Sequence, residues 1–186
     1  MVAIEVTPSV AVLTPSIGQR LTQAFTAQLV RRNGARATGI VAWTQDSLVA
    51  GDLDPATAVF TTNGLVGAPV KIIATYVERG VTITGEAALT VRAQTVLFAT
   101  STPSDSATKF ANMQTPNNES ADIVYPLDNA VMPQNVFAAD LQWLKGEQGD
   151  VFRISLTKSN ISITNYILHT DIGFGLAISV LEGRTR

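Results

Sequence analysis

Residues 70–91 read VKIIATYVERGVTITGEAALTV, and side chains of one kind recur at every second position on either side of Glu78-Arg79-Gly80. A period of two puts one set on a covered face and the other on a wetter face, so two β-strands are predicted. Val70, Ile72, Ala74 and Tyr76 make the covered set of the first strand. Val81, Ile83, Gly85, Ala87, Leu89 and Val91 make that of the second, and five of these six carry an apolar side chain. Gly80 can take the left-handed conformation that a short hairpin loop requires. A hairpin with one apolar face needs a second layer to cover it, and this requirement limits what the remaining chain can do.

The rest of the N-terminal half is predicted to supply that cover. Residues 2–6 and 10–14 read as short strands ended by Pro8 and Pro15. Proline has no N–H to give a ladder, which makes these edge strands or strand ends. Residues 21–31 read as one alternating strand, with Leu21, Phe25, Ala27 and Leu29 on one face, and Asn33-Gly34 signals a turn. Residues 38–44 form the next strand, with Val41 and Trp43 inward and Trp43 as the core plug. Residues 45–56 are polar and turn-rich, and 59–61 make a short strand. About seven short strands at close spacing predict a β-sandwich. No segment keeps a 3.6-residue period, so no helix longer than about two turns is expected.

The 186 residues suit one large or two small domains, and a hydrophobic content of 46% is enough to build cores. Only 15% of residues are charged, and the net charge of −2 gives no basis for binding nucleic acid. The adjacent pair Arg31-Arg32 reads as a solvated strand end. The absence of cysteine excludes disulfides, a thiol nucleophile and thiolate metal sites. The opening MVAIEVTPSVAVLTPSIG lacks a positive leader, a long apolar core and a cleavage site, so it does not read as a signal peptide. An exported protein with this sequence would be a mature or excised piece of a longer precursor. No apolar run approaches the roughly 20 residues of a membrane span.

Residues 92–100 stay apolar through Val96, Leu97 and Phe98, and either extend the last strand or open a second domain. Residues 101–122 are rich in Ser, Thr, Pro, Asn and Asp, the composition of a linker or long surface loop, with Phe110 and Met113 as anchors if it packs down. Strand patterns resume at residues 123–126. They continue at 136–144 (Phe137, Ala139, Leu141 and Trp143 inward) and at 151–157 (Phe152, Ile154 and Leu156 inward). Residues 161–169 place Ile161, Ile163 and Ile167 against Ser162, Thr164 and Leu168, and residues 172–180 alternate again. The division is residues 1–93, a polar segment 94–121, and a second β-sandwich-like domain at 122–186 that is either small or cut short.

The N-terminal half carries Val6-Thr7-Pro8, Ile17-Gly18-Gln19, Val41-Ala42-Trp43-Thr44, Asn63-Gly64-Leu65 and Ile72-Ile73-Ala74-Thr75-Tyr76. It closes on Gly85-Glu86-Ala87-Ala88-Leu89-Thr90-Val91. In this order these segments resemble the bacterial immunoglobulin-like domain, group 2, of intimin- and invasin-like adhesins, surface-layer proteins and some phage tail proteins. The pattern departs at Val49-Ala50-Gly51-Asp52-Leu53-Asp54, which stands where a Val-Ala-x-Val-Asp strand is usual. Asp122-Ile123-Val124-Tyr125-Pro126-Leu127-Asp128, Pro133-Gln134-Asn135, Leu141-Gln142-Trp143 and Asp150-Val151-Phe152-Arg153-Ile154 resemble a fibronectin-III-like module of bacterial surface proteins. The resemblances imply two tandem immunoglobulin-like sandwiches that space or display other modules.

Candidates for chemistry are few. His169 is the one histidine, and a Ser-His-Asp site would use it with Asp171 or Asp150 as orienter, but no nucleophile elbow accompanies it. Asp46, Asp52 and Asp54 fall close together, and hard-cation sites such as calcium sites need several convergent oxygens. Solvated turn carboxylates are the simpler reading of these three, and of Glu147 and Asp150. Tyr125 and Trp143 suit core packing over a sugar-stacking platform. Asn118 and Asn160 begin glycosylation-acceptor triplets, which arise often by chance. Catalytic, cofactor and metal residues are therefore all expected to be none. The expected protein is a non-enzymatic, all-β scaffold segment, exported to the cell surface or part of a virion. Its partners are neighbouring modules or repeated copies. The alternatives are an adhesin-type module for glycan or protein, and a structural or decoration subunit of a virion, tail or filament.

Overall fold

The computed structural model of the chain describes residues 3–111, 121–127, 140–144, 148–169 and 176–177. The strands of the first part are β1 (Ala3–Thr7), β2 (Val10–Leu13), β3 (Thr22–Ala24), β4 (Thr26–Val30), β5 (Arg36–Ala37), β6 (Ala42–Gln45), β7 (Gly51–Asp54), β8 (Val59–Thr62), β9 (Pro69–Glu78), β10 (Val81–Val91) and β11 (Ala93–Phe98). There follow α1 (Ser106–Ala111), β12 (Asp122–Tyr125), β13 (Asp140–Leu144), β14 (Val151–Lys158), β15 (Ile161–Leu168) and β16 (Leu176–Ala177). The fold is all-β, with several sheets packed together. At six residues α1 stays under two turns. No helix among the described residues is long and apolar enough to cross a membrane.

The chain divides into two compact units, one of Met1–Thr95 with Leu156–Ile163 and one of Val96–Ser155 with Thr164–Arg186. The first is built on the predicted hairpin. β9 and β10 pair antiparallel over ten residue pairs, from Val81 opposite Glu78 to Thr90 opposite Pro69. Arg79 and Gly80 close the turn with φ of 52° and 79°. Two consecutive positive φ values give the type I′ twist that matches the flanking strands. Val70, Ile72, Ala74, Ala87, Leu89 and Val91 are all buried, and at this degree of burial each large aliphatic side chain stabilises by about 1.5–3 kcal/mol. β2 adds to β10 in parallel, from Val10 opposite Ala88 to Leu13 opposite Val91, and β6 adds to β9. This gives a sheet of order β2-β10-β9-β6, faced by β1-β4-β5 and β3-β8-β7. Both proline-ended segments, β1 and β2, lie at sheet edges.

Gly85 is the inward position of β10 with no side chain, and β1 explains it. A Cβ there would run into the carbonyl oxygen of Ile4 and come within 2.8 Å of the Ile4 Cβ. The missing side chain lets β1 approach β10 at this point.

Residues 21–31 are not one strand. The chain changes sheets at Phe25: β3 pairs with β8, and β4 pairs with β1. The Phe25 side chain is buried and its N–H donates to the Ala58 carbonyl at 2.9 Å. The alternation survives the change, because Phe25 and Leu29 are both buried.

Trp43 is half-buried against the core, and the centre is filled by Phe60, which is 0% exposed. The difference follows from sheet position. β6 is an edge strand, with a neighbour on one flank, whereas β8 lies between β3 and β7, with Gln23 and Leu53 opposite Phe60. Beside Phe60 the buried Thr62 is satisfied by Leu21: its Oγ1 accepts from the Leu21 N–H at 2.9 Å, and its N–H donates to the Leu21 carbonyl at 2.9 Å. The atypical segment 49–54 contains β7, which buries Leu53 and pairs with β8.

Among the described residues of the second unit the buried aromatic is Tyr166, on the strand face that the pattern assigned to Ser162, Thr164 and Leu168. Phe98 stacks on it at 5.1 Å between centroids, and Phe110 tilts against it at 5.5 Å. The Arg153 guanidinium lies 5.2 Å from the Phe110 centroid, in reach of a cation–π contact. Within the stretch read as a polar segment, Phe110 is thus an anchor, and Thr102 Oγ1 donates to the Tyr166 carbonyl at 3.0 Å. Met113 and Phe137 lie outside the described residues, as does most of 172–180.

Two outcomes are expected from equilibrium urea melts. Gly85→Ala should destabilise by about 1–3 kcal/mol, because the colliding atoms are backbone and cannot rotate aside; a change within about 0.5 kcal/mol would contradict the close approach of β1. Phe60→Ala should cost about 3–5 kcal/mol, more than Trp43→Ala. The reverse order would place the core centre at β6.

Candidate functional site

Each candidate can be followed from its strand to its contacts. Asp46 lies just past β6. Its Oδ1 accepts the Lys71 N–H at 2.8 Å, while its own N–H donates to the Lys71 carbonyl at 3.1 Å. The carboxylate thus continues the β6–β9 ladder past its last strand pair, Gln45 opposite Ile72. Asp54 ends β7 and shapes the turn into β8. Its Oδ1 accepts the Ala56 N–H at 2.9 Å and its Oδ2 accepts the Thr57 hydroxyl at 2.7 Å. The Thr57 hydroxyl first, and the Ala56 N–H second, hold the Asp54 carboxyl below the usual aspartate value of 3.8. Asp52 is exposed on β7, opposite Thr61.

These three acids are near in sequence, but Asp46 extends a strand of one sheet while Asp52 and Asp54 belong to another. Two of the three carboxylates bind main-chain or turn groups. Among the described residues no three His, Asp or Glu side chains converge as a metal ion would require.

His169 follows β15. Its N–H donates to the Asp150 carbonyl at 2.7 Å, and its own carbonyl accepts the Gly149 N–H at 3.3 Å. Its half-buried ring meets Phe152 edge-on at 5.7 Å, and Phe152 in turn tilts against Trp143 at 5.2 Å. Here the histidine, Phe152 and Trp143 form a row of packed rings. Tyr125 stands exposed on β12, paired with Gln142, while Trp143 is half-buried opposite Ile123. The two rings therefore have different surroundings. Asp171, Glu147 and Asn118 lie outside the described residues. Asn160 sits in the β14–β15 turn, and its carbonyl accepts the Ala93 N–H at 2.9 Å.

A feature missed by the sequence reasoning lies at the β4–β5 turn. Arg31 and Arg36 line an open concavity of about 570 Å³ together with Gln28, Asn33 and Thr38. The visible signal was three arginines within six residues, Arg31, Arg32 and Arg36, straddling the Asn33-Gly34 turn. A turn at their midpoint brings both ends of such a run to one place.

Comparison of the chain with known protein families and with curated proteins gives no match.

The Asp54 contacts generate a pH dependence. A carboxyl with a lowered folded value stabilises fully above the unfolded value, near 3.8, and loses that contribution as pH falls through the folded value. The tightening of the β7–β8 turn is therefore complete at neutral pH and fades in acid below 3.8. In a carboxyl-carbon NMR titration Asp54 should show a midpoint below 3.8, and Thr57→Val should raise it. An unchanged midpoint in that variant would exclude the hydroxyl as the main cause.

Proposed function

We propose that the chain is a non-catalytic β-sandwich segment of a bacterial surface or exported protein, one that spaces or displays neighbouring modules. The observation that carries this reading is the use to which the candidate acids are put. Asp46 extends a strand ladder and Asp54 ties a turn, so the groups best suited to chemistry hold the backbone instead. His169 packs among aromatic rings beside the main chain of Gly149 and Asp150. The ten-pair hairpin with a core on its inner face supports a rigid body as the functional unit. The resemblance to immunoglobulin-like and fibronectin-like modules supports the same reading, with function resting on geometry and partners touching the loops.

A domain exchange tests it. In the full gene product, this segment is replaced by an unrelated β-sandwich of similar length, and surface display and assembly are measured. A spacer should be replaceable with both retained. Loss of either, with the replacement folded and exported, would mean that specific residues here recognise a partner. A hydrolytic activity removed by His169→Ala alone would overturn the non-catalytic reading.

A further inference from the structure

Four arginines gather at two neighbouring turns of the first unit. Arg31, Arg32 and Arg36 flank the β4–β5 turn and Arg79 sits in the β9–β10 turn, together four of the thirteen basic residues in a protein of net charge −2. All four are exposed. Among the described residues none of the four arginines is in an ion pair, so their guanidiniums are not held by carboxylates. Glu78, between the two turns, lies within electrostatic reach of both Arg31 and Arg79.

The backbone carrying these groups is pinned. The Arg31 N–H donates to the Ala35 carbonyl at 2.9 Å, the Gly34 N–H donates to the Arg31 carbonyl at 2.9 Å, and Asn33 Oδ1 accepts the Ala35 N–H at 3.1 Å. Gly34, at φ of 76°, makes that turn available. From the adjoining strand the Gln28 amide donates to the Ala37 carbonyl at 2.9 Å, a bond that does not use its oxygen. Two guanidiniums on a fixed turn, with amide and hydroxyl groups between them, thus line an open concavity of about 570 Å³.

We infer that this concavity is a binding site for an acidic polysaccharide, one bearing carboxylate or sulfate groups among its hydroxyls. A guanidinium presents a planar fork that engages a carboxylate or sulfate through two parallel N–H bonds. Gln28, Asn33 and Thr38 supply acceptors and donors of the kind that sugar hydroxyls need. The volume falls in the range of ligand clefts, but the lining is polar where most such clefts are apolar. That lining has no aromatic ring on which a nucleic-acid base could stack and no apolar pocket for peptide side chains. The inference goes beyond the spacer reading and does not depend on it: a replaceable spacer could still bear such a site, so the two tests fail separately.

The test measures binding of the protein to dextran sulfate and to polygalacturonate, with neutral dextran as control, across a salt series. Arg31→Gln/Arg36→Gln is compared with Arg20→Gln/Arg92→Gln, which removes the same charge from exposed positions elsewhere. The expected result is binding to an acidic polymer that weakens with salt. It should fall about tenfold or more in the first double variant and less than about twofold in the second, with thermal melts of both unchanged. Equal losses in the two doubles would reduce the effect to net charge and overturn the site. Failure to bind either acidic polymer would also overturn it. So would equal or tighter binding to phosphatidylserine vesicles, polyglutamate or a single-stranded oligonucleotide, each of which would identify a different partner.

Discussion

The ladder between β9 and β10 is the interaction on which the other elements of the first unit depend. Its ten pairs fix which side of each strand faces inward, and Val70, Ile72, Ala74, Ala87, Leu89 and Val91 then define one wall of the core. β6 and β2 are registered against its two outer edges. A one-residue slip in this ladder would turn a whole strand's buried set outward, so register here is held by every apolar contact at once. The positive-φ turn at Arg79 and Gly80 fixes the same register from the loop end.

The opposing wall is assembled from short pieces. β3, β4, β7 and β8 run from three to five residues each, and none could persist alone. They are held by what they bury: Phe25 at the change of sheets, Leu29 on β4, Leu53 on β7, and Phe60 at the centre. Polar needs within this wall are met locally, as the reciprocal bonds between Thr62 and Leu21 illustrate.

The long hairpin was legible because its alternation is uninterrupted and its turn residues fit the loop. Residues 21–31 show the limit of that reasoning. Alternation says which side chains are covered, but it is blind to a change of sheet, since Phe25 keeps its parity while its strand changes partners. Trp43 reads as the core plug because a large aromatic is conspicuous, while Phe60 sits in a short strand with no such mark. Burial depends instead on whether a strand is central or at an edge, and strand order is not written in local sequence. Tyr166 was overlooked for a related reason: the isoleucines of β15 mark the opposite face strongly, and the residues that cover Tyr166, Phe98 and Phe110, come from distant segments. For the aspartates, proximity in sequence said little about role: Asp54 ties the turn that follows β7, while Asp46 continues the β6–β9 ladder, a part that only strand pairing reveals. The arginine cluster was half visible, since the run and its turn could be read but not the concavity that Arg31 and Arg36 line together.

The parallel pairing of β2 with β10 has a mechanical consequence. These strands lie near the beginning and the end of the 1–95 stretch, and main-chain bonds from Ala88 N–H to Ser9 and from Arg92 N–H to Leu13 bracket their contact. Because the strands run the same way, tension drawn through the two ends of that stretch pulls them in opposite senses along their length. The bonds between them are then loaded together in shear, where an antiparallel hairpin pulled from its open end would unzip one bond at a time. A contact joined this way resists extension through the shared direction of these two strands, independently of how much apolar surface it buries.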